Sequence, residues 1–278
     1  MPKSKARLLI LITWIAVIAT GVLSFAVILT HNSDRAFSRA AAYAVYALIA
    51  LTALLSFLYS ARCPRTAKAL CFEGCGRGLP AACALCCVGM LYDFVHQCYN
   101  CYDYFENVGY VEKNYIIPIA ISGFFALLSA GYFIAVFLTV KQTGVDYRNF
   151  TAFHFAPLLW AFFKIFTLIT GIFDVSKGSQ DICNFILLVA LIAYFMLFAL
   201  ASEKKAGAAS KGFIASSVFA AAMCFTVAVP RMLAAAIGLM GNLENTTVSS
   251  PTYFVLGLFI VFVLRENRRC ERNGFIGE

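Results

Sequence analysis

Apolar runs of about 20 residues recur along this chain, and that recurrence limits its fold more than any other feature. Seven are clear, at about 8–30, 40–60, 80–101, 115–140, 150–173, 182–201 and 213–240, and a shorter eighth lies at about 252–265. A helix advances about 1.5 Å per residue, so crossing a hydrocarbon layer about 30 Å thick takes roughly 20 residues. The first seven runs reach that length. The eighth spans about 21 Å, and needs its flanking Thr246, Thr247, Ser249 and Ser250 or a locally thinned bilayer to cross.

Composition points the same way. Residues of the AVILMFWYC set make up 62% of the chain and charged residues 13%, whereas a soluble domain is about 25% charged. With a mean hydropathy of +0.81, the chain cannot clothe a water-facing surface. The sequence therefore predicts an all-α, polytopic transmembrane helix bundle of about eight spans. It forms a single integral membrane domain over residues 1–278, with no soluble domain and the lipid bilayer as a partner. Lys3, Lys5 and Arg7 precede the first run, but that run exceeds the roughly 7–15 apolar residues of a secretory signal and reads as a retained helix.

Positive charge tests the span count, because cytoplasmic segments collect Lys and Arg. With the N-terminus inside, 16 of the 22 Lys and Arg residues fall on inner segments, among them Arg62, Arg65, Lys68 and Arg77, and the tail cluster Arg265, Arg268, Arg269 and Arg272. Arg35, Arg39, Lys113 and Lys177 fall outside. Seven spans would put the tail cluster outside as well. The asymmetry thus favours eight spans with both termini cytoplasmic, in the plasma membrane. The net charge of +8 is then a topology signal, and no soluble basic face exists for nucleic acid.

No P-loop, H-E-x-x-H, G-x-S-x-G or dinucleotide fingerprint occurs. The glycine-rich run from Cys71 to Gly78 follows no strand and reads as a turn. No cofactor or metal is implied, and the reading leans away from an enzyme.

Asp93, Lys164 and Arg231 lie within predicted spans. Each costs roughly 2.5–3.5 kcal/mol at a helix centre on insertion scales, so each needs a partner, water or a function. All three fall about 12–14 Å below the outer boundary in the eight-span topology. One carboxylate and two cations in one layer predict a charged, outward-facing intramembrane site. His96 lies one turn after Asp93 on the same face, and Pro230 removes a backbone donor just before Arg231 and predicts a kink. Asp93, His96, Lys164 and Arg231 are therefore the candidate binding residues of a carrier for a small anionic or protonatable solute. The plainer alternative is an assembly, sensor or scaffold protein in which these charges only fix packing or snorkel. His154 reads as an interface residue.

Between the third and fourth spans, Tyr99, Tyr102, Tyr104, Phe105, Tyr110 and Tyr115 interleave with Asp103, Glu106 and Glu112. Such an aromatic-acidic stretch can hold cations through ring faces and carboxylates, but tyrosines gather at any membrane interface, which is the plainer account. Eight of the 11 cysteines fall between residues 63 and 101. Cys63, Cys71 and Cys75 match no zinc spacing, while Cys83, Cys86 and Cys87 read as small apolar packing residues. Cys98 and Cys101 form an outward C-x-x-C, the basis of a third reading as a membrane thiol oxidoreductase. Asn245-Thr-Thr247 is a glycosylation sequon in an outer loop.

Overall fold

A computed structural model describes residues 3–30, 35–62, 75–107, 113–144, 146–149, 151–171, 178–202, 210–239 and 249–272. Eight α-helices form: α1 (Lys3–Thr30), α2 (Arg35–Arg62), α3 (Gly78–Asn107), α4 (Lys113–Val140), α5 (Ala156–Gly171), α6 (Gly178–Ser202), α7 (Ser210–Ala236) and α8 (Ser250–Arg272). No strand occurs among the described residues. Away from water the backbone N–H and C=O groups are all satisfied only in a helix or a closed barrel, and an apolar run of this length satisfies them within itself as a helix.

Six of the eight, all but α5 and α8, are long and apolar enough to cross a membrane. Among the described residues, six of the seven clear runs of the sequence reading thus form helices of spanning length, and the fifth does not reach it. The fifth run is not one helix: residues 151–155 form a tight 3-10 turn, and the apolar segment Phe153–Ile169 extends only about 25 Å at α-helical rise. Two other boundaries also move. The third helix continues through the expected outer loop to Asn107, and α8 runs on past its apolar part to Arg272.

Helix ends follow local chemistry. Gly238, at φ 81°, sits just past α7 and donates its N–H to the Ala235 carbonyl at 3.1 Å, while Leu239 donates to Ala234 at 2.9 Å. This is the left-handed glycine cap, and Leu239 folds back onto Ile28 and Ala234. At the end of α4 the same conformation falls on Gln142, at φ 55°.

The helices α3, α4, α5, α6, α7 and α8 pack each against the next, and α8 closes back on α3. A six-helix ring results. Its interior is aromatic: Trp160, Tyr132, Tyr194, Tyr253, Phe133, Phe195, Phe198 and Phe259 are all fully buried. Closure needs small residues at the α3–α8 contact. A Cβ on Gly89 would lie 2.8 Å from the Val255 side chain, the Thr252 hydroxyl donates to the Gly89 carbonyl at 2.9 Å, and Cys86 lies with its Sγ 3.3 Å from the Val255 carbonyl. Cys83 and Cys86 are wholly buried, as expected of packing residues.

The α1–α2 hairpin lies outside the ring and docks on α7. Two small clusters hold it, Leu9, Leu55, Tyr59 and Ile214 at one end and Ile28 with Ala234 at the other. Helix ends alternate through the bundle: Lys211 at the start of α7 reaches the Ala61 carbonyl at the end of α2, Arg268 near the end of α8 reaches Tyr59, and Tyr147 beyond α4 reaches Ser202 at the end of α6.

Candidate functional site

Asp93 and Lys164 meet. Asp93 is fully buried on the inward face of α3, and Lys164, 6% exposed, reaches it from α5 in a direct ion pair. Trp160 stands four residues before Lys164, on the same face of α5, and donates its indole N–H to Asp93 Oδ2 at 2.8 Å. Ser249 enters from the first residues before α8. Its hydroxyl accepts from Lys164 Nζ at 2.7 Å and donates to Asp93 Oδ1 at 2.7 Å. The Lys164 ammonium also lies 5.4 Å from the Trp160 ring centroid, within reach of its π face.

This triangle is chemically closed. The two charges cancel, and the carboxylate accepts from three donors. Three helices that are distant in sequence are tied together at one point. A buried pair of this kind is costly to form and much more costly to break singly, so its arrangement suits fixing a geometry rather than receiving a solute.

Arg231 does not join it. The guanidinium, 3% exposed, donates to Asn184 Oδ1 at 2.7 Å and to the Gln180 carbonyl at 3.3 Å. Gln180 and Asn184 are one turn apart on α6, and so present one face to α7. Beside this group is a cavity of about 40 Å3 at the junction of α1, α2, α6 and α7, bordered by Ser24, Tyr46, Gln180, Thr226, Pro230 and Arg231. Pro230 stands inside α7, which continues as one helix to Ala236. Its missing N–H leaves the Thr226 carbonyl without the usual helical donor, and Thr226 is on the cavity wall.

The remaining expectations sort by place. His96 is half-buried one turn above Asp93, its Nδ1 3.4 Å from the Asn100 amide nitrogen, and it makes no bond to the ion pair. His154, just before α5, is buried at 5% exposure, with its ring 5.5 Å from Tyr132 and 5.3 Å from Tyr147. Cys98 is exposed and Cys101 half-buried, both free thiols. They sit in the C-terminal part of α3, where the helix dipole offers none of the positive potential a redox thiolate uses. Tyr99, Tyr102 and Phe105 are exposed on a helix rather than a loop. Cys63, Cys71, Tyr110, Glu112 and the Asn245 sequon lie outside the described residues.

Trp160, Ser249, Asn184 and Gln180 are absent from the sequence-derived set. The signal for Trp160 is its spacing of four from Lys164, and for Asn184 and Gln180 the same spacing within one apolar helix. Ser249 carries no such signal, because its partner lies 156 residues away. Comparison of the chain with protein-family models, with curated proteins and with solved structures finds no match in any of the three.

Proposed function

We propose that this protein is a plasma-membrane carrier that crosses the bilayer eight times with both termini cytoplasmic, and that it moves a small anionic or protonatable solute past Arg231. The reading rests on the cavity at Arg231. A guanidinium buried within an apolar bundle forms its polar wall, next to the carbonyl that Pro230 leaves without a helical donor. By the roughly 10–15 Å3 that one water needs, the space takes about three waters, hence a small inorganic anion or a carboxylate-sized group. Intramembrane arginines of this kind mark ligand routes by default. The cavity lies on the seam between the α1–α2 hairpin and the ring, so rocking of one against the other would open it. Asp93 and Lys164 keep the ring rigid during that motion, and His96, one turn from Asp93, stays outside the pair. Eight crossings are supported by the Lys and Arg asymmetry and by the alternation of helix ends.

The test is uptake of labelled chloride, acetate and phosphate into proteoliposomes. Arg231→Gln loses uptake while Arg231→Lys keeps part of it. Uptake unchanged in Arg231→Gln would remove Arg231 from the route.

The closed Asp93–Lys164–Trp160–Ser249 network favours a second reading, an assembly or sensor scaffold whose buried charges are structural. It predicts that substitutions at Asp93, Lys164 and Arg231 alter only abundance or partner binding. The third reading, thiol oxidoreduction at Cys98 and Cys101, has no further observation in its favour.

A further inference from the structure

At the other end of the hairpin–ring seam lies a second and larger opening, about 550 Å3, between α1, α2, α7 and α8. That volume is within the roughly 300–1,000 Å3 of small-ligand sites. It is chemically two-sided. Its deep part is apolar: Trp14 and Val17 of α1 face Val218, Ala221 and Ala222 of α7, where two alanines in succession leave room that larger side chains would fill. Its mouth carries Arg265, Arg268 and Arg269 of α8.

The arginines differ in what already holds them. Arg268 donates to the Tyr59 hydroxyl and stacks over the Tyr59 ring at 5.0 Å, so its guanidinium is fixed in place. Arg269 is 3.7 Å from Glu266 Oε2, with its own side chain 55% exposed. Arg265 is exposed and makes no hydrogen bond or ion pair among the described residues. Glu266 is buried and turned, with the Arg269 guanidinium beside it, toward Gly76 before α3, and it does not border the opening. With Arg269 balanced by Glu266, Arg265 and Arg268 leave a net positive mouth above an apolar slot.

We propose that this opening is a binding site for an anionic phospholipid, with one acyl chain in the slot and the headgroup phosphate held by Arg265, Arg268 and Arg269. The occupant follows from charge and setting together. Guanidinium forks match phosphate oxygens bidentately, basic pockets between membrane helices on the cytoplasmic side take anionic headgroups, and the apolar slot needs a chain that the surrounding bilayer supplies. A soluble phosphate would leave the slot empty, and a zwitterionic lipid would leave the mouth unneutralised.

The experiment uses the full chain in detergent, exposed to equimolar phosphatidylglycerol and phosphatidylcholine of identical chains, with retained lipid counted by native mass spectrometry. Phosphatidylglycerol is retained preferentially, one molecule per chain. Arg265→Gln with Arg269→Gln, both at exposed positions, lowers that preference roughly thirtyfold. Val218→Phe, which fills the slot and leaves the arginines intact, also reduces retention. Glycerol phosphate in excess does not compete. Equal retention of the two lipids by the wild type overturns the proposal, as does a preference that survives the double arginine substitution. Competition by glycerol phosphate, with retention untouched in Val218→Phe, overturns it in favour of a headgroup-only site.

Discussion

At Ser249 a single hydroxyl both accepts from Lys164 and donates to Asp93, so it makes the ion pair a three-cornered contact. Ser249→Ala removes a donor and an acceptor at once in a buried setting, and costs about 1–3 kcal/mol of stability. The pair itself behaves asymmetrically. Lys164→Met strands a buried carboxylate and costs about 3–5 kcal/mol, whereas Lys164→Met combined with Asp93→Leu recovers most of that loss. Thermal unfolding of the purified protein, followed by the fraction that stays monodisperse, reads both. If the double variant is no more stable than Lys164→Met alone, the charges do something other than hold one another. Asp93 and Lys164 stand out in the sequence because charge in an apolar run is rare and costly. That Arg231 belongs elsewhere is not legible there. A shared depth places residues in one layer, but which faces meet depends on ring order, and that is set by long-range packing.

Among the elements, the contact of α3 with α8 is the most exacting. Gly89 and Cys86 are small where Val255 and Thr252 approach, and a side chain at position 89 has nowhere to go. Gly89→Val should therefore cost about 1–3 kcal/mol through overpacking, and Thr252→Ala less, measured as a fall in melting temperature. In the opposite direction, Gln142 holds a left-handed conformation that costs a non-glycine residue about 1–2 kcal/mol. Gln142→Gly should raise the melting temperature, provided the loop keeps its shape. Six helices are legible from run length alone, because crossing a bilayer sets the length. The start of the fifth is overread, since the apolar character of α5 begins before the helix does, at Phe153, and nothing local separates a 3-10 turn from the start of an α-helix. The end of α3 is underread for the converse reason: tyrosines and carboxylates look like a loop, yet they continue a helix as it leaves the apolar layer.

For the whole molecule, the crossings of α5 and α8 decide the topology. With eight crossings, an epitope inserted after Gln142 and one inserted after Lys177 lie on opposite sides of the membrane. If α5 does not cross, they lie on the same side, and protease protection of sealed vesicles distinguishes the two. The hairpin–ring division is not legible in the sequence at all, because α1 and α2 have the same apolar character as the ring helices and only their contacts set them apart.

Ring closure also imposes an order of events during synthesis. The partner that closes the ring against α3 is α8, which follows α3 to α7 in chain order, and Ser249 comes with it. Until then the nascent chain carries Asp93 and Lys164 in a bundle whose α8 wall has not been translated. A chain that stops before residue 249 has the ion pair without the hydroxyl that bridges it. The full buried network is therefore present only on chains translated past Ser249.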